Sequence, residues 1–217
     1  MTILVIGATG MAGSAIVKEA RQQGIEVLAN GRNLEKLTAL KGQDSGVTIL
    51  QKDAFLLDQD DFDKVDVIID AFSTAPDQAY RQIDLATYLI AKLRNQKTRI
   101  GFILGAGSLY TDASKTRLVY DDIREDASTQ AWRAIPENQL YELDFLRHVQ
   151  NVNWFGLSPA ITFMPGKKSE NILYGDDVLL KNQAGKSETT ADTMAAAVIK
   201  EILEPEHNRA RFTVANG

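Results

Sequence analysis

The stretch Thr2-Ile-Leu-Val-Ile-Gly7-Ala-Thr-Gly10-Met-Ala-Gly13 decides how the rest of the chain is read. Thr2–Ile6 is aliphatic on both faces, as a buried parallel strand requires. Glycines 7, 10 and 13 follow it, and Met11–Gln23 takes up an amphipathic helical period. In such a strand–turn–helix, Gly7 permits the tight turn and Gly10 lets the backbone approach a pyrophosphate. Gly13 lets the helix pack close on the strand. Free N–H groups and the dipole at the helix start favour an anion there, with Thr9 and Met11 in the same turn. A Walker loop is excluded, because its Gly-Lys pair would fall on Ala12-Gly13.

Outward from that turn, strands are expected at Glu26–Ala29, Val47–Gln51, Val65–Ala71, Ile100–Leu104 and Val152–Leu157. Helices are expected at Leu34–Leu40, Asp77–Asn95 and Glu137–Val149, with a short turn near Asp58–Asp63. This alternation predicts an α/β, Rossmann-like, doubly wound parallel sheet with helices on both faces. After Leu157 the rhythm changes. A loop spans Ser158–Ser169, and short strands are expected near Ile172–Tyr174 and Val178–Lys181. A helix over Ala191–Leu203, capped by Thr189 or Thr190, precedes a strand over Arg211–Val214. With no repeat or linker, residues 1–217 are expected to form one NAD(P)-binding domain. Residues from about 158 to 217 then form a small C-terminal lid on the substrate side.

Composition narrows the chemistry. The 217 residues include no cysteine, and His148 and His207 are the only histidines. A disulfide framework, a thiolate nucleophile and a Cys-ligated metal are therefore excluded, and no metal site is expected. Net charge is −5, with 24 basic residues scattered among 29 acidic ones, which argues against a nucleic-acid partner. No apolar run reaches the length of a membrane span. A cytoplasmic protein is expected, monomeric or a small homo-oligomer. So few catalytic side chains suit a borrowed cofactor.

The end of the second strand, Leu28-Ala-Asn30-Gly-Arg32-Asn33, carries no acid to hold a ribose 2′-hydroxyl. Arg32 can instead pair with a 2′-phosphate, which favours NADP(H) over NAD(H); its alternative is a solvated surface arginine. Asp53 either accepts from an adenine amino group or caps a helix. In an open parallel sheet the ligand lies beyond the carboxyl ends of the strands. Phe72-Ser73-Thr74, Ala106-Gly107-Ser108 and Pro159-Ala160 are therefore cofactor-side candidates. Tyr110, Trp132, Phe155, Phe163 and Met164 are candidates for an apolar wall against a planar acceptor, as an alternative to ordinary core packing. The acidic run Asp121–Asp126 lacks Ca²⁺-loop spacing and reads as a solvated face.

Gly7-Ala-Thr-Gly10-Met-Ala-Gly13, Gly31-Arg32-Asn33, Gly105-Ala-Gly-Ser108-Leu, Leu157-Ser-Pro159-Ala and Arg211-Phe-Thr-Val occur together. In this combination the chain resembles the atypical short-chain dehydrogenases of the NADH-flavin reductase-like, or NmrA-like, NAD(P)-binding family. It is more distantly similar to the biliverdin reductase B family of flavin reductases. The resemblance covers essentially the whole chain and implies a Rossmann fold and NADP(H). It also implies an active-site serine at Ser108, which could bond the nicotinamide or the acceptor. Ala160 stands where the distant family has a histidine, so any role of that histidine does not transfer.

Short-chain dehydrogenases ordinarily use a Tyr-x-x-x-Lys pair as proton donor, the lysine lowering the tyrosine pKa. Tyr88 and Lys92 have that spacing but lie on the helix before the fifth strand. The helix after it has Tyr141 followed by Phe145. Without the pair, an acceptor that takes hydride at a conjugated, electron-poor centre is favoured over an unactivated ketone. The sequence therefore predicts an NADPH-dependent reductase of a flavin or quinone-like acceptor, with FMN or FAD as possible substrate. The alternative is an NADP(H)-binding redox sensor with little turnover and a protein partner.

Overall fold

The structure, a computed structural model, describes all of residues 1–217. Strand β1 (Thr2–Ile6) lies between β2 (Glu26–Gly31) and β4 (Val67–Asp70), and β3 (Val47–Gln51) continues beyond β2. On the other side follow β5 (Arg99–Ile103), β6 (Trp154–Pro159) and β10 (Ala210–Asn216), all parallel. The antiparallel β8 (Ile172–Gly175) forms the edge. The order β3-β2-β1-β4-β5-β6-β10-β8 reverses direction between β1 and β4, which opens a crevice at their carboxyl ends. Strands β7 (Thr162–Met164) and β9 (Glu188–Thr190) form a separate parallel pair.

Alternation along the strands sorts the core into two layers. Ile3 and Val5 of β1 face helices α1 (Met11–Gln22) and α7 (Ala191–Leu203), joined by Leu37 of α2 (Leu34–Lys41). Leu4 and Ile6 face the opposite layer, with Phe62 of the short α3 (Gln59–Phe62). There α4 (Arg81–Leu93) contributes Leu85, Leu89 and Leu93, and α6 (Ala134–Arg147) contributes Leu143 and Leu146. Helix α5 (Val119–Glu125) follows the β5 loop. Burial of these side chains, each worth about 1.5–3 kcal/mol, is what holds the helices to the sheet.

The segment after Pro159 does two things. Strands β8 and β10 widen the main sheet and α7 covers α1, while the β7–β9 pair and its connections sit at the carboxyl end. The strand expected over Val178–Lys181 is a single bridge from Tyr110 to Val178. Thr190 is the N-cap of α7, but its hydroxyl donates to the Lys167 carbonyl (2.7 Å) rather than capping the helix.

A buried ion pair fastens α7 to the sheet. Arg99, at the start of β5, pairs with Glu201 and donates to its backbone oxygen at 2.8 Å. The Nδ1 of His207 lies 2.7 Å from the second Glu201 oxygen. Burial opposes ionisation of Glu201, but Arg99 and His207 outweigh it and hold the carboxyl below its ordinary range. Its stabilising contribution is therefore complete above the unfolded value of about 4.3 and is lost as pH falls through the lowered folded value. Glu201→Gln, which leaves the Arg99 charge uncompensated, should cost about 3–5 kcal/mol at neutral pH. It should also flatten the acid limb of stability below about pH 5. Urea unfolding at a series of pH values checks both, and an acid limb as steep as wild type would contradict the assignment.

Candidate functional site: a glycine-walled cleft at the sheet switch point

The turn after β1 is built by close backbone approach. Gly7 has φ +72°, and a Cβ there would lie 2.6 Å from the Ala71 carbonyl oxygen at the end of β4. A Cβ on Gly13 would be driven still closer to the Gly7 carbonyl, so α1 can only seat against the turn as glycine. Gly10 differs: a Cβ there would meet nothing nearer than the Gly7 oxygen at 3.3 Å. Gly10 is the N-cap of α1, no side chain caps the helix, and no acid stands in its first turn. The N–H groups of that first turn are left for a ligand. Bare Gly10 is thus the space a pyrophosphate would occupy, and the turn fits a dinucleotide.

Beside the turn is an open cleft of about 250 Å³. It brings together Gly7, Thr9, Gly10, Arg32, Asp53, Phe72 and Ser73, all expected from the sequence, with Asn30, Lys36 and Lys52. Asn30 is buried, and its amide donates to the carbonyls of Leu50 (3.2 Å) and Lys52 (2.9 Å), which locks the ends of β2 and β3 together. Lys52 is paired with Asp58 at 2.8 Å and Asp61 at 2.6 Å, so its charge is already compensated. Arg32 and Lys36 are exposed at the rim, and neither takes part in an ion pair. Lys36 is reachable from sequence: Asn33 caps α2 by accepting from the Lys36 N–H (2.9 Å), which sets Lys36 one turn beyond Arg32. Asp53 caps a short 3-10 turn, accepting from the Phe55 N–H at 3.0 Å.

The remaining expected residues lie farther along the carboxyl edge. Met11 is exposed at the first turn of α1. Thr74 follows β4, Ala106 and Gly107 form the 3-10 turn after β5, and Pro159 ends β6. The Ala160 N–H donates to Thr189 Oγ1 at 2.8 Å. Ser108 is buried; its hydroxyl donates to the Gly105 carbonyl (3.2 Å) and accepts from Arg211 (3.2 Å). Arg211 also donates to Ser158 Oγ at 3.1 Å and pairs with Asp177, so one buried guanidinium joins the loop after β5, the end of β6 and the loop after β8. Tyr110 bridges to Leu118 and Val178. Trp132 is 44 % exposed, Phe155 is buried in the α1–α7 layer and Phe163 packs against it, so these side chains do not form one continuous wall. The Tyr88 hydroxyl donates to the Leu57 carbonyl, and Lys92 lies 5.6 Å from its ring. No group of three or more His, Asp or Glu side chains is placed to hold a metal.

The glycine geometry sets a stability order. Gly7→Ala and Gly13→Ala should each lower the unfolding free energy by roughly 1–3 kcal/mol, through strain and overpacking. Gly10→Ala should stay within about 1 kcal/mol of wild type. Urea titrations give all three values, and a Gly10 variant as damaged as the others would contradict a cleft that is empty at that position.

Comparison with known proteins places this geometry. The NmrA-like family model matches residues 1–107. The uncharacterized protein YwnB of Bacillus subtilis is 36 % identical, across 100 % of this chain and 99 % of its own. A Lactobacillus casei protein of known structure is 37 % identical with a TM-score of 0.92, each chain covered in full. A Streptococcus pneumoniae structure, described as a candidate NADH-flavin reductase, is 30 % identical with a TM-score of 0.89, again over both full chains. No helix is long and apolar enough to cross a membrane. The chain belongs to the NmrA-like family of NAD(P)-binding, atypical short-chain-dehydrogenase-like Rossmann proteins.

Proposed function

We propose that the protein is an NADPH-dependent reductase that passes hydride to a flavin or quinone-like acceptor. The observation that carries this reading is the cleft, which pairs a glycine cradle with two uncompensated cations, Arg32 just after β2 and Lys36 in the first turn of α2. When bound, the dinucleotide supplies the hydride. The chain's own residues do the rest. The first turn of α1 holds the pyrophosphate, and Arg32 with Lys36 holds the 2′-phosphate. Phe72, Ser73 and the loops after β5 and β6 orient the ring end against the acceptor. The likeness to the Streptococcus pneumoniae protein supports a flavin as acceptor.

The absence of a protein proton donor is part of the proposal. The Tyr88 hydroxyl and the Ser108 hydroxyl both donate to backbone carbonyls, and Tyr141 donates to Glu137 at 3.1 Å. In this reading Ser108 holds the loop that meets the ligand. An acceptor whose reduced form is a delocalised anion needs proximity and orientation from the protein. Ser158 and Ser108, fixed by Arg211, keep that loop geometry rigid.

Arg32→Ala should raise the NADPH dissociation constant about tenfold or more, in line with loss of a charge-assisted phosphate contact worth roughly 1.5–3 kcal/mol. NADH affinity should change by less than about twofold. Fluorescence titration of both dinucleotides reads the difference, and equal losses for both would remove the 2′-phosphate assignment. Steady-state oxidation of NADPH with FMN, FAD and a quinone panel should show an acceptor-dependent rate. Tight NADPH binding with no such rate would replace the reductase with a dinucleotide-sensing protein.

A further inference from the structure

Two carboxyl groups lie inside the α4–α6 layer directly behind the cleft. Asp70, the last residue of β4, is 6 % exposed and stands in register with Ile6 and Phe102. Ile68, two residues earlier on the same face, belongs to the apolar cluster under α4 and α6. Glu142 is 5 % exposed on α6, beside buried Leu143. Gln139, one turn earlier, reaches Gly105 at the carboxyl end of β5, so this face of α6 covers the cofactor end of the sheet.

No cation answers either charge. Burial dominates for both groups, and the only other charge acting on Glu142 is Asp70 itself. The charged and titratable groups of the surrounding elements, Arg81, Asp84 and Tyr88 of α4, Glu137, Tyr141 and Asp144 of α6, and Arg99 of β5, make no ion pair or side-chain hydrogen bond with either carboxyl. Burial pushes Asp70 up to about 7, against the pull of the Phe72 N–H that donates to its carboxylate at 3.0 Å. Burial and the neighbouring Asp70 carry Glu142 well above the ordinary range. Two carboxylates cannot both ionise cheaply in an apolar layer. The Oε1 of Gln82, from α4, and the Oγ1 of Thr74, in the loop after β4, are buried without a hydrogen-bond partner.

The pair is also tied to the cleft. Phe72, whose N–H bonds Asp70, lines the cleft together with Ala71 and Ser73. We propose that Asp70 and Glu142 form a proton-holding site behind the dinucleotide cleft, one that binds its proton more tightly under a reduced dinucleotide than under an oxidised one. This rests on the reading that the cleft binds a nicotinamide dinucleotide. An anionic ligand raises the cost of a carboxylate charge behind it, so binding draws a proton onto the pair. Hydride transfer breaks a C–H bond of the reduced dinucleotide and moves its electron pair to the acceptor. The dinucleotide's net charge then rises by one and the pair's hold on its proton weakens. A flavin or quinone also takes one proton from solvent, and the fraction of a proton that the pair releases to solvent offsets part of that uptake.

Infrared titration of the ligand-free protein tests the pair directly. Wild type should show neutral carboxylic-acid absorption at pH 7, with a first step that titrates near that pH and a remaining band from the second carboxyl. Asp70→Asn should remove the first step and Glu142→Gln the remaining band, with thermal melts confirming that both variants fold. Absence of any neutral carboxyl in wild type at pH 7 would overturn the proposal. Calorimetry at pH 7 in buffers of different ionisation enthalpy, with NADPH and with NADP⁺, tests the linkage. Uptake of up to about half a proton per site is expected, larger for NADPH and lost in Asp70→Asn. Equal uptake for the two dinucleotides, or uptake retained in Asp70→Asn, would overturn it. If neither dinucleotide binds, the cleft reading and the linkage fall together, while the infrared result still reports whether the pair holds its proton.

Discussion

The passage of backbone against backbone at Gly7 is the constraint on which the rest of the structure depends, because three elements meet there without side chains between them. Gly7 touches the end of β4, and Gly13 brings α1 down onto Gly7. With α1 seated, its first turn points at the carboxyl edge where β1 and β4 part, and α7 has a surface to cover. Any side chain at 7 or 13 would push α1 outward and fill the crevice with carbon. The open crevice and the helix packing are therefore two results of one close approach.

Two buried arginines then determine how the later chain closes over this frame. Arg99 secures α7 at the amino end of the sheet through Glu201, and Arg211 secures the loops at the carboxyl end through Asp177 and two serines. A lone buried guanidinium would be costly, so each arginine fixes its partners in place. That division leaves the cofactor edge with a rigid loop set on one side and an uncovered cationic rim at Arg32 and Lys36 on the other.

Strand β1, aliphatic on both faces, was legible from sequence to the residue, and β3 and the helix α7 also match their expected limits. The β1 signal is local, since burial on two faces demands continuous apolar sequence. Val178–Lys181 misled because its β-branched and aliphatic composition suits a strand, yet its backbone finds one partner only at Tyr110. The cleft was half legible. The glycines, Arg32 and Phe72 announce themselves by spacing, whereas Asn30 and Lys52 enter only because β2 and β3 end side by side. Asp70 and Glu142 carried no signal at all; each is an ordinary acid until the sheet and α6 enclose them in one layer.

The most direct test of the central claim, that the glycine turn is an anion cradle for an NADPH-like dinucleotide, is amide chemical-shift mapping by NMR as NADPH is added. The account predicts the largest shifts at Gly7–Gly13, with a second group at Asn30–Lys36, where the cleft rim carries its free cations. Saturable binding that leaves the Gly7–Gly13 amides unmoved would contradict it.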